Sequence, residues 1–300
     1  MRRVPHPIPY QGSKRLQAAL ICAHLPEANR LYEPFAGSAA VSLAAAARGV
    51  AKEYVIGEKL EPLASLLREI ISNPTSVSAQ YAGLWADQFP DPKAHFLAVR
   101  EKFNRSHDPV ALLYLLARCV KNAVRFNPKG QFNQSADHRR SGMHPTKMRE
   151  NVVGASRLLN GRSVVVCADY RELLDRAGPR DVVYMDPPYQ GVSNGRDARY
   201  FRQLDVSGFL TDLDRLNSRG VPYILSFDGS CGNREYGEAL PAELKLARIA
   251  VHTGPSSQAT LNGKSAQTVE SLYLSPAIAA SNVAPAYSLK TRVNQATLSL

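Results

Sequence analysis

The chain has 300 residues, 44% of them hydrophobic, with a formal charge of +11 and a pI of about 9.6. That length suits one α/β domain carrying an insertion, and the basic excess favours an anionic partner. Cys22, Cys119, Cys167 and Cys231 lie far apart without a CxxC pair, no histidines have ligand spacing, no apolar run approaches the roughly 20 residues of a membrane span, and no leader opens the chain, so neither disulfides nor metal nor membrane is expected and the location expected is cytoplasmic.

Met1 to Pro9 reads as extended, and Ser13 is expected to cap a helix running to about His24. Leu31 to Phe35, the small residues Ala36 to Ala39 and the run Val41 to Arg48 closed by Gly49 read as strand, tight turn and helix. Tyr54 to Gly57 makes a second short strand ending at Glu58, and a helical pattern follows from Leu63 to Ile71. Two βα units in tandem imply parallel pairing.

From Asn73 to about Gly154 strand signals vanish, and 76 to 88, 93 to 103 and 109 to 124 have the apolar spacing of helices. Residues 118 to 150 hold Arg118, Lys121, Arg125, Lys129, Arg139, Arg140, Lys147 and Arg149 against Asp137 and Glu150. That net +6 is over half the chain's excess in about a ninth of its length.

The βα rhythm resumes with Ser163 to Asp169, a helix from Arg171 and the strand Asp181 to Met185. After a Gly/Arg-rich loop from Gln190 to Arg202 come a helix from Ser207 to Asn217 and the strand Tyr223 to Phe227. Leu244 to Val251 and Ser271 to Leu274 close the chain as a hairpin. The expected fold class is therefore α/β, a doubly wound, mostly parallel sheet of seven strands ending in an antiparallel hairpin. The main domain falls in two parts, residues 1–72 and 155–300, around a helical and basic insertion at 73–154.

Ligands of such sheets bind at the carboxyl ends of the strands, and the informative residues fall there. Phe35, Gly37 and Ser38 follow the first strand, where small side chains let backbone amides approach a ligand. Glu58 ends the second and suits the two hydroxyls of a ribose, while Asp169 and Tyr170 end the third and offer an acceptor and a ring to an adenine. Asp186-Pro187-Pro188-Tyr189 ends the fourth, a carboxylate, two residues lacking a backbone donor and an aromatic ring, suited to gripping a planar amino group. There is no GxGxxG and no GxxxxGK[ST], which disfavours a dinucleotide or nucleoside triphosphate.

Tyr10-Gln11-Gly12-Ser13-Lys14, then Glu33-Pro34-Phe35-Ala36-Gly37-Ser38, then a helical insertion with a basic loop, then Asp186-Pro187-Pro188-Tyr189, resembles in that order the Dam-type site-specific DNA adenine-N6 methyltransferases. The resemblance covers roughly residues 7 to 275 and implies a Rossmann-like methyltransferase fold, S-adenosylmethionine as cofactor, duplex DNA as partner and target recognition by the insertion. Tyr10 and Lys14 match the family's N-terminal cofactor element, and Phe35 and Gly37 its turn around the methionine part. Glu58 takes the ribose position, Asp169 and Tyr170 the position at the cofactor's adenine. Arg125, Asn127, Lys129, Gln131 and Asn133 resemble a DNA-contacting hairpin, with Arg139 and Arg140 as further candidates. Ala39 stands where the family usually has a second glycine, which bears on cofactor binding, and Gln134-Ser135 replaces the usual Val-Pro, which bears on the bases read.

The chemistry expected is direct transfer to the N6 amine of a flipped-out adenine. Asp186 and the Pro187 carbonyl would each accept one N–H, Pro188 would stiffen the turn, and Tyr189 would stack on the base. Cytosine-N4 methylation, RNA methylation and a catalytically idle DNA-binding protein are the alternatives, and a cognate restriction enzyme stays open as a partner. The polar loop from Ser256 to Lys264 and Asp228 are lesser candidates for the same pocket.

Overall fold

The computed structural model describes residues 3–89, 91–188, 204–231, 234–236, 240–255 and 267–281. Five parallel strands form the sheet's body: β1 (Ala28–Glu33), β2 (Ala51–Gly57), β3 (Ser163–Val166), β4 (Val182–Met185) and β5 (Tyr223–Cys231). Short β6 (Arg234–Tyr236) folds back antiparallel on β5, and β7 (Ala247–Pro255) and β8 (Gln267–Leu274) pair antiparallel at one edge. The order is β3-β2-β1-β4-β5-β8-β7, with β6 off the path. The path is the seven-stranded, mostly parallel sheet expected. β6 is an addition, and three residues are too few to show a period.

Alternate residues of each strand feed two cores. Leu31, Tyr54, Ile56, Val182 and Tyr184 face one, while Tyr32, Val55, Val183 and Met185 face the other. The first core is covered by α1 (Ala18–His24), α2 (Ala40–Arg48), α3 (Glu61–Ser72), α4 (Pro74–Ala86), α5 (Pro92–Ser106), α6 (Pro109–Arg118) and α7 (Pro145–Leu159). The second is covered by α8 (Tyr170–Arg176) and α9 (Val206–Ser218), and α10 (Pro276–Ser281) returns Ile278 to the first.

Helices α3 to α7 each open with proline in the first turn, where its missing donor costs nothing. Asp91 and Asp108 cap α5 and α6, each accepting from two backbone amides. Every residue of α6 from Val110 to Arg118 is buried, so it is the axis around which α3, α4 and α5 pack. α7 runs through residue 154, and Ser156 Oγ donates to the Ile71 carbonyl at 2.6 Å, tying it to α3. Lys147 and Arg149 thus stand on a helix whose cap is His144, rather than in a loop.

One local expectation is corrected. Ser13 caps no helix: residues Lys14–Leu16 form a 3-10 turn, α1 starts at Ala18, and the Ser13 hydroxyl lies 2.9 Å from Ser38 Oγ across the chain. The hydroxyl is used to dock the N-terminal segment on the turn after β1.

Candidate active site and nucleic-acid interface

The strand order reverses between β1 and β4, which pair in parallel with Leu31 opposite Val182 and Tyr32 opposite Val183. That register brings the turn 34–39 and the segment 186–188 out at the same end of the sheet, where a crevice opens beside a switch of strand order. Ala36 N donates to the Gly57 carbonyl at 2.9 Å, which ties the turn to the end of β2. Gly57 must be glycine there, because a Cβ would collide with Leu173 Cδ2 and stand 3.1 Å from Pro34 Cα.

Gly37 has φ of +51°, and a Cβ on it would come 3.1 Å from the Tyr10 ring, so that ring lies against the turn's backbone. Gly37 N donates to Glu58 Oε2 at 3.1 Å and Leu60 N to Oε1 at 2.9 Å. Burial pushes the Glu58 carboxyl up against the pull of these hydrogen bonds. Each oxygen keeps acceptor capacity beyond its amide, as a ribose diol requires. Ala39 adopts φ 53° and ψ 36°, the left-handed geometry a glycine would take. Its methyl is fully buried in the core. The left-handed cost of ~1 to 2 kcal/mol is largely offset by up to ~0.8 kcal/mol of methyl burial and by the chain entropy glycine would lose, so the turn keeps its backbone.

At the third strand, Asp169 caps α8, accepting from Arg171 N at 3.3 Å, and pairs with Lys59 Nζ at 2.6 Å. Tyr170 is buried, its ring stacked on Phe35 with centroids 5.1 Å apart and its hydroxyl donating to Asp212 Oδ2 at 2.9 Å. Asp212 on α9 also receives Arg171 Nε at 2.9 Å, and no motif announces it.

Asp186 Oδ1 lies 3.0 Å from Lys14 Nζ, and the same ammonium is 3.1 Å from Glu270 Oε2 on β8. Lys14 is therefore brought to the tetrapeptide. Glu270 was not a sequence candidate, since it sits one residue before the run expected as the last strand; a charged residue at the head of an apolar run was the available signal. Glu33 was also missed, although it opens the quoted turn motif. It is 3% exposed, its Oε2 accepts from Ser42 N at 2.8 Å and from the Ser42 hydroxyl, and burial pushes its carboxyl up to about 7, with Asp186 raising it further. Asp228 is buried and held by Arg248 Nη2 at 3.4 Å and the Tyr273 hydroxyl. Tyr189, the loop 190–202 and the polar loop 256–264 lie outside the described residues.

The basic hairpin is anchored by Phe126 and Phe132, bridged antiparallel, with ring centroids 5.8 Å apart and both packed on Phe103 of α5. Asn104 clasps Phe132 through both its amide and its carbonyl, at 2.8 and 3.1 Å. At the tip, Asn127 Oδ1 accepts from Lys129 N at 2.9 Å and Gln131 N at 3.0 Å, and Asn127 Nδ2 donates to Gln131 Oε1 at 3.1 Å. Asn127 thus braces the turn, and Lys129, Gln131 and Asn133 stand exposed, with Arg125 half-buried at the base. Arg139 forks onto buried Asp137 and Arg140 adds one hydrogen bond from Nε while its Nη2 donates to the Cys119 carbonyl, and these bonds to Asp137, Arg139 first, hold its carboxyl well below the usual range. Their outer faces remain exposed. Gln11 N donates to the Asn122 carbonyl at 3.0 Å, linking the segment that carries Tyr10 and Lys14 to this interface. Among the described residues no group of acids, histidines or cysteines could hold a metal, and no helix is long and apolar enough to cross a membrane.

Residues 10–244 match the family described as D12 class N6 adenine-specific DNA methyltransferase. The chain is 29% identical to the DNA N-6-adenine-methyltransferase of Escherichia phage P1 over 72% of its own length, spanning 28% of that protein. It is 27% identical to the retron Ec67 DNA adenine methylase of Escherichia coli over 84% of its length and 87% of that protein. A DNA adenine methylase of Vibrio cholerae is 27% identical over 72% of the chain and 79% of its own length.

Proposed function

Because the chain belongs to the D12 class of N6 adenine-specific DNA methyltransferases, we propose that it methylates adenine N6 in duplex DNA at the crevice between β1 and β4, with S-adenosylmethionine as donor. The observation that supports the reading is the β1/β4 register, which brings Asp186 and the turn at Gly37 out at the same end of the sheet. The cofactor supplies a methyl group on a sulfonium. Tyr10, Phe35, Gly37 and Ser38 would line its methionine part, Glu58 its ribose, and Asp169 with Tyr170 its adenine.

The target base must leave the duplex stack, at a cost of a few kcal/mol. Its amine is a poor nucleophile because the lone pair is delocalised into the ring. Asp186 would accept one N–H and the Pro187 carbonyl the other, which pulls the nitrogen toward tetrahedral geometry and aims the lone pair. Pro188, with its fixed φ, stiffens that carbonyl, and Tyr189 would close on the base face. Residues 73–154 supply target recognition: Arg125, Lys129, Gln131 and Asn133 reach DNA from the hairpin, Arg139 and Arg140 hold phosphate, and Asn127 shapes the tip.

Incubation of the purified chain with methyl-labelled S-adenosylmethionine and mixed-sequence duplex DNA should place label on adenine N6. Label on cytosine N4 alone would refute the substrate. Asp186→Ala should abolish transfer while calorimetry still detects cofactor binding; loss of both together would move Asp186 into the cofactor site.

A further inference from the structure

Lys14 is one ammonium held between two carboxylates drawn from distant parts of the chain: Asp186 after β4, at 3.0 Å, and Glu270 on β8, at 3.1 Å. The lysine side chain is only 8% exposed, and the acids are 18% and 25% exposed, so the cluster is shielded from water. If the lysine served only to pin Asp186, one ion pair would do. A second carboxylate adds desolvation cost without need, unless the charge it leaves is used. Two carboxylates on one ammonium leave a net single negative charge. The other acid beside Asp186, Glu33, has its carboxyl pushed up to about 7 by burial, so below that pH it adds little charge.

We propose that Glu270 is a positioning residue for methyl transfer: it takes a share of the Lys14 ammonium, so that Asp186 is fixed by its Oδ1 edge while the cluster stays anionic toward the amine. The inference rests on Asp186 as the acceptor of the amine's N–H. In the transfer, the N6 lone pair forms the N–C bond and the S–C bond breaks with its electrons kept by sulfur. The extra N6 proton then leaves to water through the Asp186 carboxylate. Positive charge therefore develops on nitrogen directly against Asp186, and a net anionic, preorganised cluster stabilises that charge more than it stabilises the neutral amine. Without the Glu270 charge, the Lys14–Asp186 pair that remains of the three is neutral.

Single-turnover methylation of duplex DNA by the full chain tests this, with calorimetric S-adenosylmethionine binding measured on the same variants. Glu270→Gln keeps an oxygen for Lys14 and removes the charge. It should slow transfer about tenfold or more while the cofactor Kd moves by less than about twofold. Glu270→Asp, which restores the charge, should recover part of the rate. Wild-type transfer by Glu270→Gln, or parallel loss of rate and cofactor binding in both Glu270 variants, overturns the proposal. Asp186→Ala separates the two levels. If it is dead while Glu270→Gln is fully active, only the positioning role falls. If Asp186→Ala transfers at the wild-type rate, the acceptor reading falls and the positioning role with it.

Discussion

Glu33 is a carboxyl sealed at the end of β1, satisfied by the amide and hydroxyl of Ser42 and pushed by burial from 4.5 to about 7. A carboxyl raised on folding binds its proton more tightly in the native than in the unfolded chain. Its contribution is therefore fully present below pH 4.5 and is lost as pH rises toward about 7, after which it is constant. Glu33→Gln keeps an acceptor for Ser42 and cannot ionise. The variant should be as stable as the parent at pH 5 and more stable at pH 8, by at most about 3 kcal/mol from the size of the shift. Urea unfolding at the two pH values measures this, and a variant less stable at pH 8 would show that the acid is ionised and needed there. Ala39 teaches a related lesson at the same scale: a left-handed alanine is accommodated where its methyl is buried in the core.

The element we propose for DNA recognition is the hairpin between Arg125 and Asn133. Its two phenylalanines fix it to α5, but its tip is held by a single side chain, Asn127, through three hydrogen bonds. Each such bond is worth about 0.5 to 1.5 kcal/mol, so Asn127→Ala should free the tip. We expect DNA affinity to fall about tenfold, with cofactor affinity and the rate at saturating DNA unchanged. Fluorescence anisotropy with a labelled duplex, beside calorimetry with the cofactor, reads the two separately. An unchanged DNA Kd would mean that the tip does not meet the duplex. Asparagine interleaved with arginine looks in sequence like base readout, yet here its amide is consumed by the turn. Side chains short enough to reach their own backbone make such turns, and composition cannot distinguish the two uses.

Across the whole molecule, over half of the formal charge of +11 lies in residues 118–150, where Lys121, Lys129, Arg139 and Arg140 stand exposed around a phenylalanine-anchored hairpin. Duplex affinity should therefore fall steeply with salt, log K dropping by about 0.9 per phosphate neutralised for each unit of log salt. Lys129→Ala should lower that slope by about one. An unchanged slope with weaker binding would place Lys129 on a base edge instead. The Gln11 to Asn122 hydrogen bond and the Ser13 to Ser38 contact tie the N-terminal segment to the insertion and to the turn after β1, and its Lys14 pairs with Asp186.

The βα rhythm, the turn after β1 and the tetrapeptide after β4 were legible because each is a local pattern: apolar period, small residues at a strand end, and a fixed run of four. Apolar spacing also placed α4, α5 and α6, each opened by proline, although the stretch expected as helix over 109–124 ends at Arg118. The α7 helix was hidden by its charge, since four of the residues from Lys147 to Arg157 are charged and the apolar stripe is thin. Ser13 was assigned to a cap, but its hydroxyl meets Ser38, which only folding brings near, while the Asn127 amide and the Arg139 guanidinium bond near neighbours in sequence, a use that residue type does not announce. The sequence by itself determined the family, the sheet and the Asp-Pro-Pro-Tyr run that begins at Asp186. Tertiary structure alone decided that Lys14 stands between Asp186 and Glu270, and that Glu33 is sealed beside them, because these contacts join positions up to 256 residues apart and no local period records which charges will share one ammonium.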